Sequence, residues 1–100
     1  MEANKTIKIQ VTLLATFKML AGRNHLSLQM ESGQSILDAF FMVLEQVPSL
    51  RSHWLDPEGQ PRNYVHIFLN GEDADTLPAG LETTLKDGDA LDFIPPVAGG

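Results

Sequence analysis

One hundred residues with 43% hydrophobic content suffice for one domain with one core and fall short of two. A formal charge of −6 argues against sequence-independent nucleic-acid binding, which draws its affinity from Lys and Arg neutralising phosphates, and against docking on anionic membrane surfaces. The absence of cysteine excludes disulfides, a thiol nucleophile and thiolate metal sites.

Met1-Glu2-Ala3-Asn4-Lys5 lacks the basic start and apolar core of a signal peptide, so a cytoplasmic protein is the expectation. From Thr6 to Leu13 the residues alternate, with Ile7, Ile9, Val11 and Leu13 on one face, which predicts a strand with one buried side. Leu14 to Leu20 loses that period and Ala21-Gly22-Arg23-Asn24 has turn chemistry, so a loop ending in a turn is expected. Leu26, Leu28 and Met30 restore the alternation and predict a second strand, hairpin-like with the first.

Ser35 followed by Asp38 resembles a capping box and opens a helical pattern. Ile36, Leu37, Phe40, Phe41, Leu44 and Val47 form its apolar face, and Pro48 ends it near Val47. Phe40 and Phe41 read as core rather than as a ligand pocket. One amphipathic helix on one half-buried sheet is a two-layer α+β domain.

Ser49 to Asn63 is irregular and longer than most connections. Within it, Leu50, Trp54 and Leu55 predict a short helical turn anchored by the tryptophan, and Asp56-Pro57-Glu58-Gly59 has type I turn order. Tyr64 to Leu69 reads as a central strand, and Asn70-Gly71 as a tight hairpin turn. Glu72 to Gly80 is acidic and turn-rich, Leu81 to Leu85 reads as one helical turn, and Lys86 to Asp89 as a turn feeding a last strand, Ala90 to Ile94. His25, His53 and His66 have no metal-ligand spacing.

Pro95-Pro96 stops that strand and leads into Val97-Ala98-Gly99-Gly100. Two terminal glycines arise by chance roughly once in 200 sequences at average glycine usage. The division expected is a domain over 1–96 and a slim tail over 97–100, able to enter a narrow active site.

Asn70-Gly71-Glu72-Asp73, Leu85-Lys86-Asp87-Gly88-Asp89 and Phe93-Ile94-Pro95-Pro96-Val97-Ala98-Gly99-Gly100 together resemble the ubiquitin-like sulfur carriers, the family of the molybdopterin synthase small subunit (MoaD) and the thiamine-pathway carrier (ThiS). Phe17-Lys18-Met19-Leu20-Ala21-Gly22 also matches that family's pattern. The resemblance covers nearly the whole chain. It implies a β-grasp fold: a mixed sheet of four to five strands, first and last parallel at its centre, with one main helix across one face.

The sequence carries no phosphate-binding loop of its own. By resemblance, an E1-like adenylating enzyme uses ATP to activate the Gly100 carboxylate, and a sulfur donor converts it to a thiocarboxylate. Gly100 is then the reacting residue, Gly99 and Ala98 are its stem, and the chain binds no cofactor. The expected acceptor is the molybdopterin pathway through a synthase large subunit. The alternatives are carriers for cysteine or thiamine-thiazole synthesis, a ubiquitin-like modifier joined to lysines, and a plain interaction domain. If the other strand faces meet the helix, His66, Phe68 and Ile94 form an outward apolar patch, which with Pro95, Pro96, Val97 and Ala98 is the expected partner-binding surface.

Overall fold

A computed structural model describes residues 5–96 of the chain. Val97, Ala98, Gly99 and Gly100 lie outside the described residues. The fold is a five-stranded mixed sheet with helices on one face.

Strand β1 (Thr6–Leu13) forms where the alternation predicts it, and buries Ile7, Ile9, Val11 and Leu13. It pairs antiparallel with β2 (His25–Glu31), whose Leu26, Leu28 and Met30 are buried in step. The connection between them departs from the expected loop. Thr16–Ala21 is a helix, α1, closed at Gly22, where φ of +75° lets the Gly22 amide donate to Lys18 O at 3.0 Å. Its single buried residue, Phe17, gives a six-residue helix too little apolar face to show in the sequence.

Helix α2 (Ile36–Gln46) carries the predicted capping box: Ser35 Oγ accepts from the Asp38 amide at 3.2 Å, and Asp38 Oδ2 accepts from the Ser35 amide at 2.9 Å. It buries Ile36, Ala39, Phe40, Val43 and Leu44. Phe41 does not join the core as expected. It is 38% exposed and meets Phe40 edge-on at 5.2 Å.

A 3-10 turn (Pro48–Leu50) and the short helix α3 (Arg51–Trp54) then fold the long connection back onto the core. Trp54 is fully buried and stacks between Phe40 at 4.9 Å and Phe93 at 4.6 Å, with Phe17 edge-on at 5.5 Å. Four aromatic rings from three helices and one strand thus close one end of the core. Asp56 O accepts from the Gly59 amide, closing the turn the sequence predicts there.

Strand β3 (His66–Leu69) is shorter than the expected Tyr64 to Leu69 and lies inside the sheet, flanked by a strand on each side. The order is β2-β1-β5-β3-β4, so β5 (Ala90–Ile94) lies at the centre, parallel to β1 and antiparallel to β3. Asn70 and Gly71, at φ of +51° and +87°, make the tight turn into β4 (Glu72–Asp73), a two-residue strand absent from the sequence reading. Two 3-10 turns follow, Ala74–Thr76 and Gly80–Glu82, the second one residue ahead of the predicted helical turn.

Candidate functional site

The start of β5 is fixed by side chains on neighbouring turns. Asn70 Oδ1 accepts from the Ala90 amide at 2.9 Å while its Nδ2 donates to Asp89 Oδ1 at 3.0 Å. Asp87 Oδ1 accepts from the Lys8 amide at 2.8 Å, joining the turn before β5 to β1. The Asn-Gly and Asp-Gly segments singled out in the sequence therefore hold the central strand in register, from which the chain runs on through Pro95-Pro96.

On the helix side β5 presents Leu91 and Phe93, both fully buried. On the opposite side stand Asp92 and Ile94, each half-buried. Ile94 pairs across the sheet with exposed His66, and Asp92 with half-buried Phe68. His66, Phe68 and Ile94 are thus brought together on the open face, beside the point where the tail departs. Trp54 carries the long connection onto the helix side, against Phe40 and Phe93, and so leaves Phe68 outside the core cluster.

The two prolines differ. Pro96 is exposed, whereas Pro95 is buried, following the strand's alternation onto the core side. Burial of Pro95 departs from the expectation that it is a contact surface. Val97, Ala98, Gly99 and Gly100 are outside the described residues.

Beyond the residues expected at this surface, two carboxylates flank Phe68. Its cross-strand neighbours are Asp92 on one side and Asp73 on the other, so an aromatic ring stands between two acids in one row across the sheet. Asp92 lies two residues from Ile94 on the same face, and the Asn70-Gly71 turn sets Asp73 opposite Phe68, so both are traceable to local patterns.

A concavity of about 310 Å³ is lined on the helix side by Phe40, Arg62, Val65, Ile67, Ala74 and Leu81. Its volume is at the lower limit of small-molecule sites. Among the described residues no group of three His, Asp or Glu side chains is placed to hold a metal ion, and no helix is long and apolar enough to cross a membrane.

Comparison with known proteins agrees with this geometry. The family model of the ThiS family matches residues 11–100. The chain belongs to the ThiS family. Within the wider set of ubiquitin-like β-grasp carriers and modifiers, it is 26% identical over 94 residues to small archaeal modifier protein 3 of Haloferax volcanii, covering 94% of this chain and 100% of that protein. Among solved structures it resembles SAMP1 from Haloferax volcanii, with a TM-score of 0.83 and 25% identity over 93% of this chain and 99% of the other. Small archaeal modifier protein 1 of Methanosarcina acetivorans gives a TM-score of 0.80 and 28% identity, covering 96% and 99%.

Proposed function

We propose that this ThiS-family chain is a ubiquitin-like sulfur carrier in which the Gly100 carboxylate is the group activated and transferred. The observation that carries the reading is the family match, which runs through the domain and on to Gly99-Gly100. In the first step a Gly100 carboxylate oxygen attacks the α-phosphorus of ATP in an E1-like partner, and pyrophosphate leaves. In the second, sulfide (HS−) released by a donor attacks the acyl carbon, AMP leaves, and a thiocarboxylate remains on Gly100. The chain supplies the carboxylate, the slim Ala98-Gly99 stem and a docking surface; the partner supplies the catalysis. Such a reaction places the chain in the cytoplasm, with ATP.

Docking is assigned to His66, Phe68, Ile94 and Pro96, which lie together beside the root of the tail. Asp73 and Asp92 on either side of Phe68 call for a partner with an apolar socket flanked by Lys or Arg, with association that slows as salt rises.

The acceptor expected from the Pro-Pro-Val-Ala-Gly-Gly ending is the molybdopterin pathway, through a synthase large subunit. A second reading, conjugation to protein lysines, is favoured by the resemblance to small archaeal modifier protein 3 along that protein's entire length. Both use the same adenylate and differ in the nucleophile that displaces AMP. Deletion of Gly100 separates both from a plain interaction domain: sulfur transfer and conjugation are lost while the thermal transition is unchanged. Full activity without Gly100 overturns the proposal.

A further inference from the structure

The sheet has two edges, and they differ in how open they are. At one edge β4 is only two residues long, both acidic, and turns at once into a 3-10 segment, which leaves little to pair with. At the other edge β2 runs for seven residues, His25-Leu-Ser-Leu-Gln-Met-Glu31, and β1 is its one neighbour in the sheet. Its register with β1 is continuous, without a bulge, and the strand contains neither Pro nor Lys. From His25 to Gln29, β2 carries no Pro, Lys or bulge to blunt the edge.

The ladder settles which backbone groups face outward. The Leu13 amide donates to Asn24 O and the Ser32 amide to Lys5 O, each at 2.8 Å, so the pairs bonded to β1 are those of Leu26, Leu28 and Met30. The N–H and C=O groups of His25, Ser27, Gln29 and Glu31 therefore point away from the sheet. At Glu31 they are already occupied: its amide donates to Gln34 Oε1 at 2.9 Å and its carbonyl accepts from the Gln34 amide at 3.1 Å. Gln34 stops the edge there, and among the described residues the open stretch is His25 to Gln29.

We infer that this stretch pairs with the same stretch of a second copy of the chain, antiparallel and centred on Ser27. That is the one two-fold register that engages all the open groups, setting His25 opposite the partner's Gln29 and Ser27 opposite the partner's Ser27. Each copy then places its own exposed Arg23 level with the other copy's exposed Glu31, so opposite charges meet at both ends. The strand is thus complementary to itself in hydrogen-bond phase and in charge. The resulting sheet is continuous through both copies. Because β1 separates β2 from β5 in each, the His66, Phe68 and Ile94 face and the tail stay clear of the junction. With a formal charge of −6 on each copy, the association is weak at low ionic strength and tightens as salt screens the repulsion.

The test is sedimentation equilibrium of the full chain from about 10 μM to about 1 mM, a range that brackets weak specific association, at low and at moderate salt. Concentration-dependent conversion to a dimer, stronger in salt, is expected. Ser27→Lys sets two like charges face to face on the two-fold axis and weakens the dimer about tenfold or more. Arg23→Glu and Glu31→Arg each weaken it, and the double variant restores it. Those two residues lie at opposite ends of the strand, about 27 Å apart by strand rise, so the restoration is intermolecular. A monomer throughout, a dimer indifferent to Ser27→Lys, or a double variant no tighter than its parents overturns the inference. The exposed charge swaps keep the test informative if Ser27→Lys disturbs folding. This proposal is independent of Gly100 chemistry, since the dimer forms or fails with the tail unreacted.

Discussion

The two faces of the sheet carry different kinds of information. The helix-covered face holds most of the stability: Trp54, stacked between Phe40 and Phe93 with Phe17 at its edge, has no exposed surface. The open face contributes little packing and keeps His66, Phe68 and Ile94 outside the core cluster, beside two carboxylates. One strand, β5, serves both, with Leu91 and Phe93 on one side and Asp92 and Ile94 on the other. The same alternation that fills the core therefore places the docking residues and the root of the tail.

This division can be broken first at Trp54. Trp54→Ala removes the centre of the aromatic stack and costs about 3–5 kcal/mol, a large share of a domain's total stability. Urea denaturation measures it, and a loss below about 1 kcal/mol would mean that the stack is not what holds the long connection down. Phe68→Asp tests the opposite face. Partner binding weakens at least tenfold, as expected at a docking hot spot, with a stability change within about 1 kcal/mol; a large fall in melting temperature would instead make Phe68 a core residue.

Asn70→Ala sits between these regimes, because Asn70 holds the start of β5 rather than either face. It leaves the Ala90 amide without its 2.9 Å partner and costs about 1–2 kcal/mol in the same denaturation assay. A neutral result would show that water replaces the side chain. The smallest effect belongs to Ala15, an alanine held at φ of +53° just after β1. Ala15→Gly relieves that strain and raises stability by up to about 1 kcal/mol, with no effect on partner binding. A loss of stability would mean that the flexibility glycine adds to the unfolded chain outweighs the strain.

The main strands and the main helix were legible because their signals are local. Alternation marks β1, β2 and β5, and Ser35 with Asp38 marks the start of α2. Helix α1 was not legible: it begins after Ala15 at positive φ, has no side-chain cap and buries only Phe17. The Asn70-Gly71 hairpin turn sets the register that pairs Glu72 with Leu69 and Asp73 with Phe68, but the acidic, turn-rich run after it hid the two-residue strand β4. Phe41 followed the helical period but faces the margin of the core, where the helix has no neighbour deep enough to cover it. Of the candidate site, the open-face cluster followed from strand periodicity. The burial of Pro95 depends on contacts between segments, whereas Asp73 reaches Phe68 across the Asn70-Gly71 turn and Gln34 caps Glu31 from three residues away.

The central claim rests on Gly100. The most direct test is mass spectrometry of the C-terminal peptide of the chain isolated from its own cells, grown with sulfur limited and replete. A peptide ending at Gly100 with sulfur in place of one carboxylate oxygen, or with Gly100 joined to a lysine, is the expected result. A free carboxylate alone under every growth condition would contradict it.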